Sequence, residues 1–166
     1  MKVSMYTPLP GLGSIKITAS ERGVTSIRFV KKGTNKKSYI AHGNSRADNS
    51  FLITAERELR LYAQGKLKHF SVPVDIRHVS GFTRRVLEAV KKIPYGKVLT
   101  YKQVASLIGN IKAVRAVGNS LGKNPVPIII PCHRVIRSDK TLGGFSSGIE
   151  IKKRLLAIEQ ANSAAL

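Results

Sequence analysis

Apolar positions recur along this chain in two rhythms, one of period two near the start and one near 3.6 further on. Together they predict a small mixed α/β domain followed by a mostly helical one. In residues 1–31, Ser14-Ile15-Lys16-Ile17-Thr18 alternates, Tyr6-Thr7-Pro8-Leu9-Pro10-Gly11 is rich in breakers, and Glu21-Arg22-Gly23 precedes the apolar run Val24 to Val30. A small antiparallel sheet is expected there. Residues 31–50 are polar, basic and rich in Gly, Asn and Ser, with too few apolar positions for a core element, and predict a mobile surface loop. Leu52, Ala55, Leu59 and Tyr62 fall on one helical stripe with Gly65 beyond it, so 51–64 reads as helix. The segment Phe70 to Ile76 reads as extended, and the stretch through Ser80 as a boundary dividing 1–77 from 81–166.

Beyond that boundary, Phe82, Val86, Ala89, Val90 and Ile93 form a second helical stripe that stops at Pro94 and Gly96. Thr100-Tyr101-Lys102-Gln103 fits a capping box, which makes Tyr101 the first residue of a short helix ending near Gly109. After a turn, Lys112 to Leu121 places Val114, Val117 and Leu121 on one face. Helix, short turn, helix is the arrangement of a helix-turn-helix unit. The opposite face of the second helix carries only small side chains, Ala113, Ala116 and Ser120, with Lys112 and Arg115 beside them. Such a face fits either a DNA groove or close packing on another helix.

Composition narrows the function. At 166 residues and 42% apolar content the chain supports one good core or two small ones. It has no apolar stretch of membrane-spanning length, and its first residues lack the regions of a signal peptide, so an intracellular, cytoplasmic protein is expected. A single cysteine excludes an internal disulfide and a cysteine-based zinc site. The formal charge of +20 implies a polyanionic partner, with nucleic acid first among candidates. Residues 1–80 carry 14 basic and 5 acidic side chains and residues 81–166 carry 15 and 4, so charge does not locate the binding surface.

The candidate chemistry lies in one segment. Pro125-Val126-Pro127-Ile128-Ile129-Ile130-Pro131 has too many prolines for a helix and reads as a buried extended track delivering Cys132-His133-Arg134-Val135. A lone cysteine is either a small buried hydrophobe or a nucleophile. Basic neighbours such as His133 and Arg134 are expected to lower its pKa. Downstream, the adjacent glycines of Leu142-Gly143-Gly144-Phe145 can bring backbone close to a ligand, and Ser147-Gly148-Ile149-Glu150 fits a second capping box. In the last helix, Ile151, Leu155 and Ile158 form the stripe, with Glu159 on its edge as an exposed acid or as the partner of a basic group such as His133.

Taken in order, Gly96-Lys97-Val98-Leu99-Thr100-Tyr101, Arg115-Ala116-Val117-Gly118, Asn124-Pro125-Val126-Pro127-Ile128, Pro131-Cys132-His133-Arg134-Val135 and Gly143-Gly144-Phe145-Ser146 resemble the O6-alkylguanine-DNA alkyltransferase family across residues 81–160. Before residue 80 the likeness is confined to the general order of strands and one helix. The resemblance implies a ribonuclease H-like α/β domain, then a winged helix-turn-helix domain, and irreversible, single-turnover transfer of an alkyl group from O6 of guanine in double-stranded DNA to Cys132. It further implies that His133, linked to the thiol through water and to Glu159 directly, draws off the proton. Tyr101 would bond guanine N3, and Arg115 would enter the duplex in place of the extruded nucleotide. Asn124 would tie the recognition helix to the active-site segment, while Val135 and Ser146 would read the base edge. Phe145 stands where family members often have Tyr, which keeps stacking and removes a phenol. No metal or organic cofactor is implied, and a monomer is expected. Two rivals are a basic transcriptional regulator without chemistry and a Cys/His hydrolase. The second needs a histidine from elsewhere in the chain, since neighbours on an extended segment point to opposite sides.

Overall fold

A computed structural model describes residues 2–30, 38–40 and 46–163, and of residues 38–40 and 46–49 only the backbone. Two compact units divide the chain, 1–76 and 77–166.

The first unit is an antiparallel sheet covered by one helix. Strands β1 (Lys2–Leu9), β2 (Gly13–Ser20), β3 (Gly23–Val30) and β4 (Ser38–Ile40) lie in the order β3-β2-β1-β4. Alternation sorts Val3, Met5 and Leu9 of β1 and Ile15, Ile17 and Ala19 of β2 into the interior. Helix α1 (Arg46–Ala63) lays Leu52, Ala55, Leu59 and Tyr62 against them, all four without exposed surface. Burial of each large apolar side chain contributes roughly 1.5–3 kcal/mol. Two expectations change here. The 31–50 stretch contains β4 and the first turn of α1, because β1's open edge supplies backbone partners that composition does not reveal; the rest of that stretch lies outside the described residues. The breaker-rich 6–11 segment is strand through Leu9, with Pro8 opposite Ser14 of β2 near the end of β1 and past the Ser4–Tyr6 stretch that pairs with β4 among the described residues.

The second unit is mostly helical: α2 (Gly81–Lys91), α3 (Tyr101–Leu107), α4 (Val114–Gly122) and α5 (Ile149–Ser163), with a two-stranded parallel ladder of β5 (Leu99–Thr100) and β6 (Val135–Ile136). Thr100 caps α3 as expected: its Oγ1 accepts from Gln103 N at 3.1 Å, and Gln103 Oε1 accepts from Thr100 N at 2.7 Å. The α2 stripe is Thr83, Val86, Leu87 and Val90, one position round from the sequence reading, with Phe82 and Ala89 half-exposed. Helix α4 starts at Val114, so Lys112 and Ala113 lie before it and Ala113 is its N-cap. Among the described residues no helix is long and apolar enough to cross a membrane.

Segment 125–131 is buried as expected but not extended. Ile130 N donates to Val126 O at 3.0 Å, closing a tight turn with Ile128 at φ 77°. A β-branched residue in that region is strained by about 1–3 kcal/mol and is held there by its surroundings.

In the first unit, Gly23 sits at φ +138°, and a Cβ there would stand 2.4 Å from Pro73 O, the carbonyl that accepts from Val24 N at 2.8 Å. Gly23→Ala is expected to lower unfolding free energy by about 2 kcal/mol or more in urea titration; an unchanged midpoint would show that the contact is soft.

Candidate active site

Asn124 sets the geometry around the cysteine. It stands just past Lys123, the C-cap of α4, is buried, and spends its whole amide locally: Oδ1 accepts from Val126 N at 3.0 Å, and Nδ2 donates to Ile130 O at 2.9 Å and to Cys132 Sγ at 3.0 Å. The helix end, the Ile128 turn and the sulfur are thereby tied together. Cys132, His133 and Arg134 then form a single turn of 3-10 helix, all buried, in place of the extended backbone on which the opposite-sides argument rested.

The turn projects its side chains onto a buried carboxylate. Glu159, 1% exposed rather than an acid on the helix edge, lies on the inner face of α5 with Lys152, Leu155 and Leu156. Ile151 and Ile158 are only half-buried. His133 Nε2 lies 2.8 Å from Glu159 Oε1. Arg134 Nε donates to both Glu159 oxygens at 3.0 Å, its Nη2 donates to Oε1 at 2.9 Å, and its Nη1 donates to Ile93 O at 2.6 Å. Gly96 N donates to Oε2 at 3.0 Å. Such a network is stable only because nearly every lone pair and proton finds a partner. Sequence reasoning assigned Arg134 to the thiol; its charge is spent on Glu159.

Cys132 is 5% exposed yet lines a cavity of about 500 Å³ with Tyr101, Arg115, Phe145 and Ser146, four residues given a role from the sequence, with Gly144 of the glycine pair expected to approach a ligand, and with Arg137 and Gly118, which were given no role. Asn124 and Val135 stand behind the wall instead of in it. Val135 begins β6, and its carbonyl accepts from Lys152 Nζ at 2.6 Å. Tyr101 fits only because Gly143 opposes it: a Cβ on Gly143, at φ +68°, would lie 2.8 Å from the phenol oxygen. Among the residues of the DNA-facing reading, Arg115, Ala116 and Lys112 are exposed and Ala113 half-buried. Ser120 is not on that face. It is 4% exposed and lies 3.2 Å, hydroxyl to hydroxyl, from Thr83 of α2, so at this position close packing on another helix is what the small side chain serves.

The electrostatics correct a second expectation. Burial pushes the Cys132 thiol up to about 11, only partly opposed by the Asn124 hydrogen bond, by the charge of Lys152 and by the backbone amides of Cys132 and His133; the basic side chains of His133 and Arg134 are not among the groups that lower it. Burial also depresses the His133 pKa, opposed by the bond to Glu159, and raises that of the Tyr101 phenol, which keeps Tyr101 a hydrogen-bond donor at neutral pH. Among the described residues no group of three or more His, Cys, Asp or Glu side chains is placed to hold a metal ion.

Comparison with known proteins settles the family. Residues 81–161 match the DNA-binding domain of 6-O-methylguanine DNA methyltransferase, and residues 5–76 match its ribonuclease-like domain. The methylated-DNA--protein-cysteine methyltransferase of Sulfolobus acidocaldarius is 42% identical over 155 residues, 93% of this chain and 92% of that protein. Its counterpart in Methanosarcina barkeri is 38% identical over 151 residues, 91% of this chain and 93% of that one. A crystal structure of Mycobacterium tuberculosis OGT in complex with DNA superposes with a TM-score of 0.80 at 33% identity, covering 96% of this chain and 95% of that one. This chain belongs to the 6-O-methylguanine DNA methyltransferase family. Membership accounts for the ribonuclease-like α/β unit preceding the helical one, and the activity of the family is transfer from methylated DNA to a cysteine of the protein itself.

The depressed His133 pKa has a consequence for stability. The unfolded chain takes up a proton near the ordinary value of 6.5 while the folded chain resists it. The stabilising difference is therefore complete above that value and is lost as pH falls below it, levelling off once the folded histidine also charges. The thermal midpoint is expected to fall between pH 7 and pH 5, and His133→Gln to flatten that decline; equal slopes in both proteins would rule out His133 as the source.

Proposed function

We propose that Cys132 is the alkyl acceptor and that the cavity it shares with Tyr101 and Arg115 receives an O6-alkylguanine turned out of double-stranded DNA. One observation carries this reading. The chain's sole cysteine borders a cavity together with a phenol and an exposed arginine from the two helices of the helix-turn-helix.

On this reading, Lys112, Ala113, Arg115 and Ala116 at the start of α4 meet the duplex, and Arg115 fills the gap left by the extruded nucleotide, offsetting an extrusion cost of a few kcal/mol. The base enters beside Phe145, which stacks on it, and Ser146 meets its edge. Val135 acts from behind the wall as part of the frame. The thiol proton passes by way of water to His133, whose charge Glu159 would stabilise. Sulfur then attacks the alkyl carbon in line: a C–S bond forms and the C–O6 bond breaks. Its electron pair moves into the purine as Tyr101 donates to N3. The thioether has no readily displaced group, so the protein acts once. It does so as a monomer, in the cytoplasm, and without a cofactor.

Incubation with duplex DNA bearing O6-methylguanine is expected to raise the intact mass by one methylene equivalent, a gain that Cys132→Ala abolishes. Unchanged wild-type mass with retained DNA binding would favour a regulator that binds without chemistry. Arg115→Ala is expected to slow transfer from duplex about tenfold or more, a barrier increase of roughly 1.4 kcal/mol, and to slow reaction with the free alkylated base less. Equal slowing on both would remove the extrusion role.

A further inference from the structure

Lys152 is the one lysine among the described residues that is fully buried, at 0% exposed. It lies on the core face of α5, where a helical stripe calls for an apolar side chain. Its ammonium has two acceptors, both neutral: it donates to Val135 O at 2.6 Å and to Leu142 O in a short bond. None of the ion pairs among the described residues includes it. A desolvated cation held only by carbonyl dipoles is costly and is normally paired or neutral. Its two acceptors are informative. Val135 is the third residue after Cys132, and Leu142 stands two residues before the Gly144-Phe145-Ser146 segment that walls the cavity.

We infer that Lys152 is a positioning residue for the transfer reaction: it pins the cavity wall to the strand leaving Cys132, and it is the buried counter-charge of the Cys132 thiolate. The inference rests on the reading of Cys132 as the reacting group. When the thiol gives up its proton, the sulfur anion gains a cation already fixed in place. When sulfur forms its bond to the alkyl carbon and the carbon–oxygen bond breaks, that anion disappears and Lys152 loses its partner.

The surrounding charges agree with this assignment. Cys132 interacts with Tyr101 of α3, through the phenol's own titration, and with Asn124 and Lys152. Lys152 interacts with Arg137 of the following loop, whose charge opposes its protonation, and with Cys132, which favours it. His133 is coupled to Glu159, Arg134 and Lys152. Burial brings Lys152 down to about 8, and the charge of Lys152 lowers the thiol.

The test uses the whole protein, whose single cysteine makes thiol alkylation unambiguous. Rates of reaction with iodoacetamide are followed by intact mass from pH 6 to 10. Lys152→Met is expected to react roughly tenfold more slowly at pH 7, one pKa unit being a tenfold change in thiolate. The wild-type profile should bend near pH 8 where the ammonium is lost, and the variant's should not. Lys153→Met, at the exposed neighbour paired with Glu150, is expected to match wild type throughout. Equal rates and profiles for Lys152→Met and wild type would overturn the counter-charge. Should Lys152→Met fail to fold, 13C NMR of the wild-type lysine side chains decides. Capping Cys132 with methyl methanethiosulfonate should lower the Lys152 titration midpoint, and an unmoved midpoint overturns the pairing. Failure of the underlying reading appears separately, as absence of mass gain from methylated DNA, whatever iodoacetamide shows.

Discussion

A single carboxylate, Glu159, organises the second unit. It accepts from an imidazole, a guanidinium and a backbone amide, and so joins the last helix, the turn bearing the cysteine and the loop after α2. All of these groups are desolvated, and the arrangement is stable only as a whole. Removing the acid would leave Arg134 as an uncompensated buried cation, a change that costs roughly 3–5 kcal/mol in comparable pairs. The position of Cys132 follows from this constraint on one side and from Asn124 on the other. The sulfur is therefore held by two independent sets of hydrogen bonds instead of by packing alone.

Much of this was legible in the sequence, and the reasons are specific. The Thr100–Gln103 box and the Leu52–Tyr62 stripe were readable because capping and helical burial are local rules that tertiary context left alone. The grouping of Cys132 with Tyr101, Arg115, Phe145 and Ser146 followed from ordered motifs, and the structure places all five around one cavity. What escaped was decided by distant partners. Strand β4 depends on the open edge of β1. The turn at Ile128 depends on the Asn124 amide, since nothing in a run of prolines and isoleucines predicts a left-handed residue.

The errors in charge share a physical origin. Adjacency in sequence suggested that the charges of His133 and Arg134 would lower the thiol pKa, whereas the 3-10 turn points both side chains at Glu159 and leaves Asn124, Lys152 and the backbone amides of Cys132 and His133 as the groups that lower it. Lys152 did carry a signal: positions 152, 155, 156 and 159 are spaced as one helical face, and a lysine on that face is anomalous. Ser120 was misplaced for the opposite reason. A small side chain suits a groove and a helix contact equally, and only the neighbouring Thr83 distinguishes them.

The depth of the sulfur matters most for a molecule that can act only once. A thiol held protonated at neutral pH, with 5% of its residue surface exposed, is a poor target for peroxide, stray electrophiles and disulfide exchange, all of which prefer an open thiolate. On the proposed reading, burial that works against nucleophilicity slows such side reactions in the resting protein, and its one equivalent of reactivity is kept for the extruded purine.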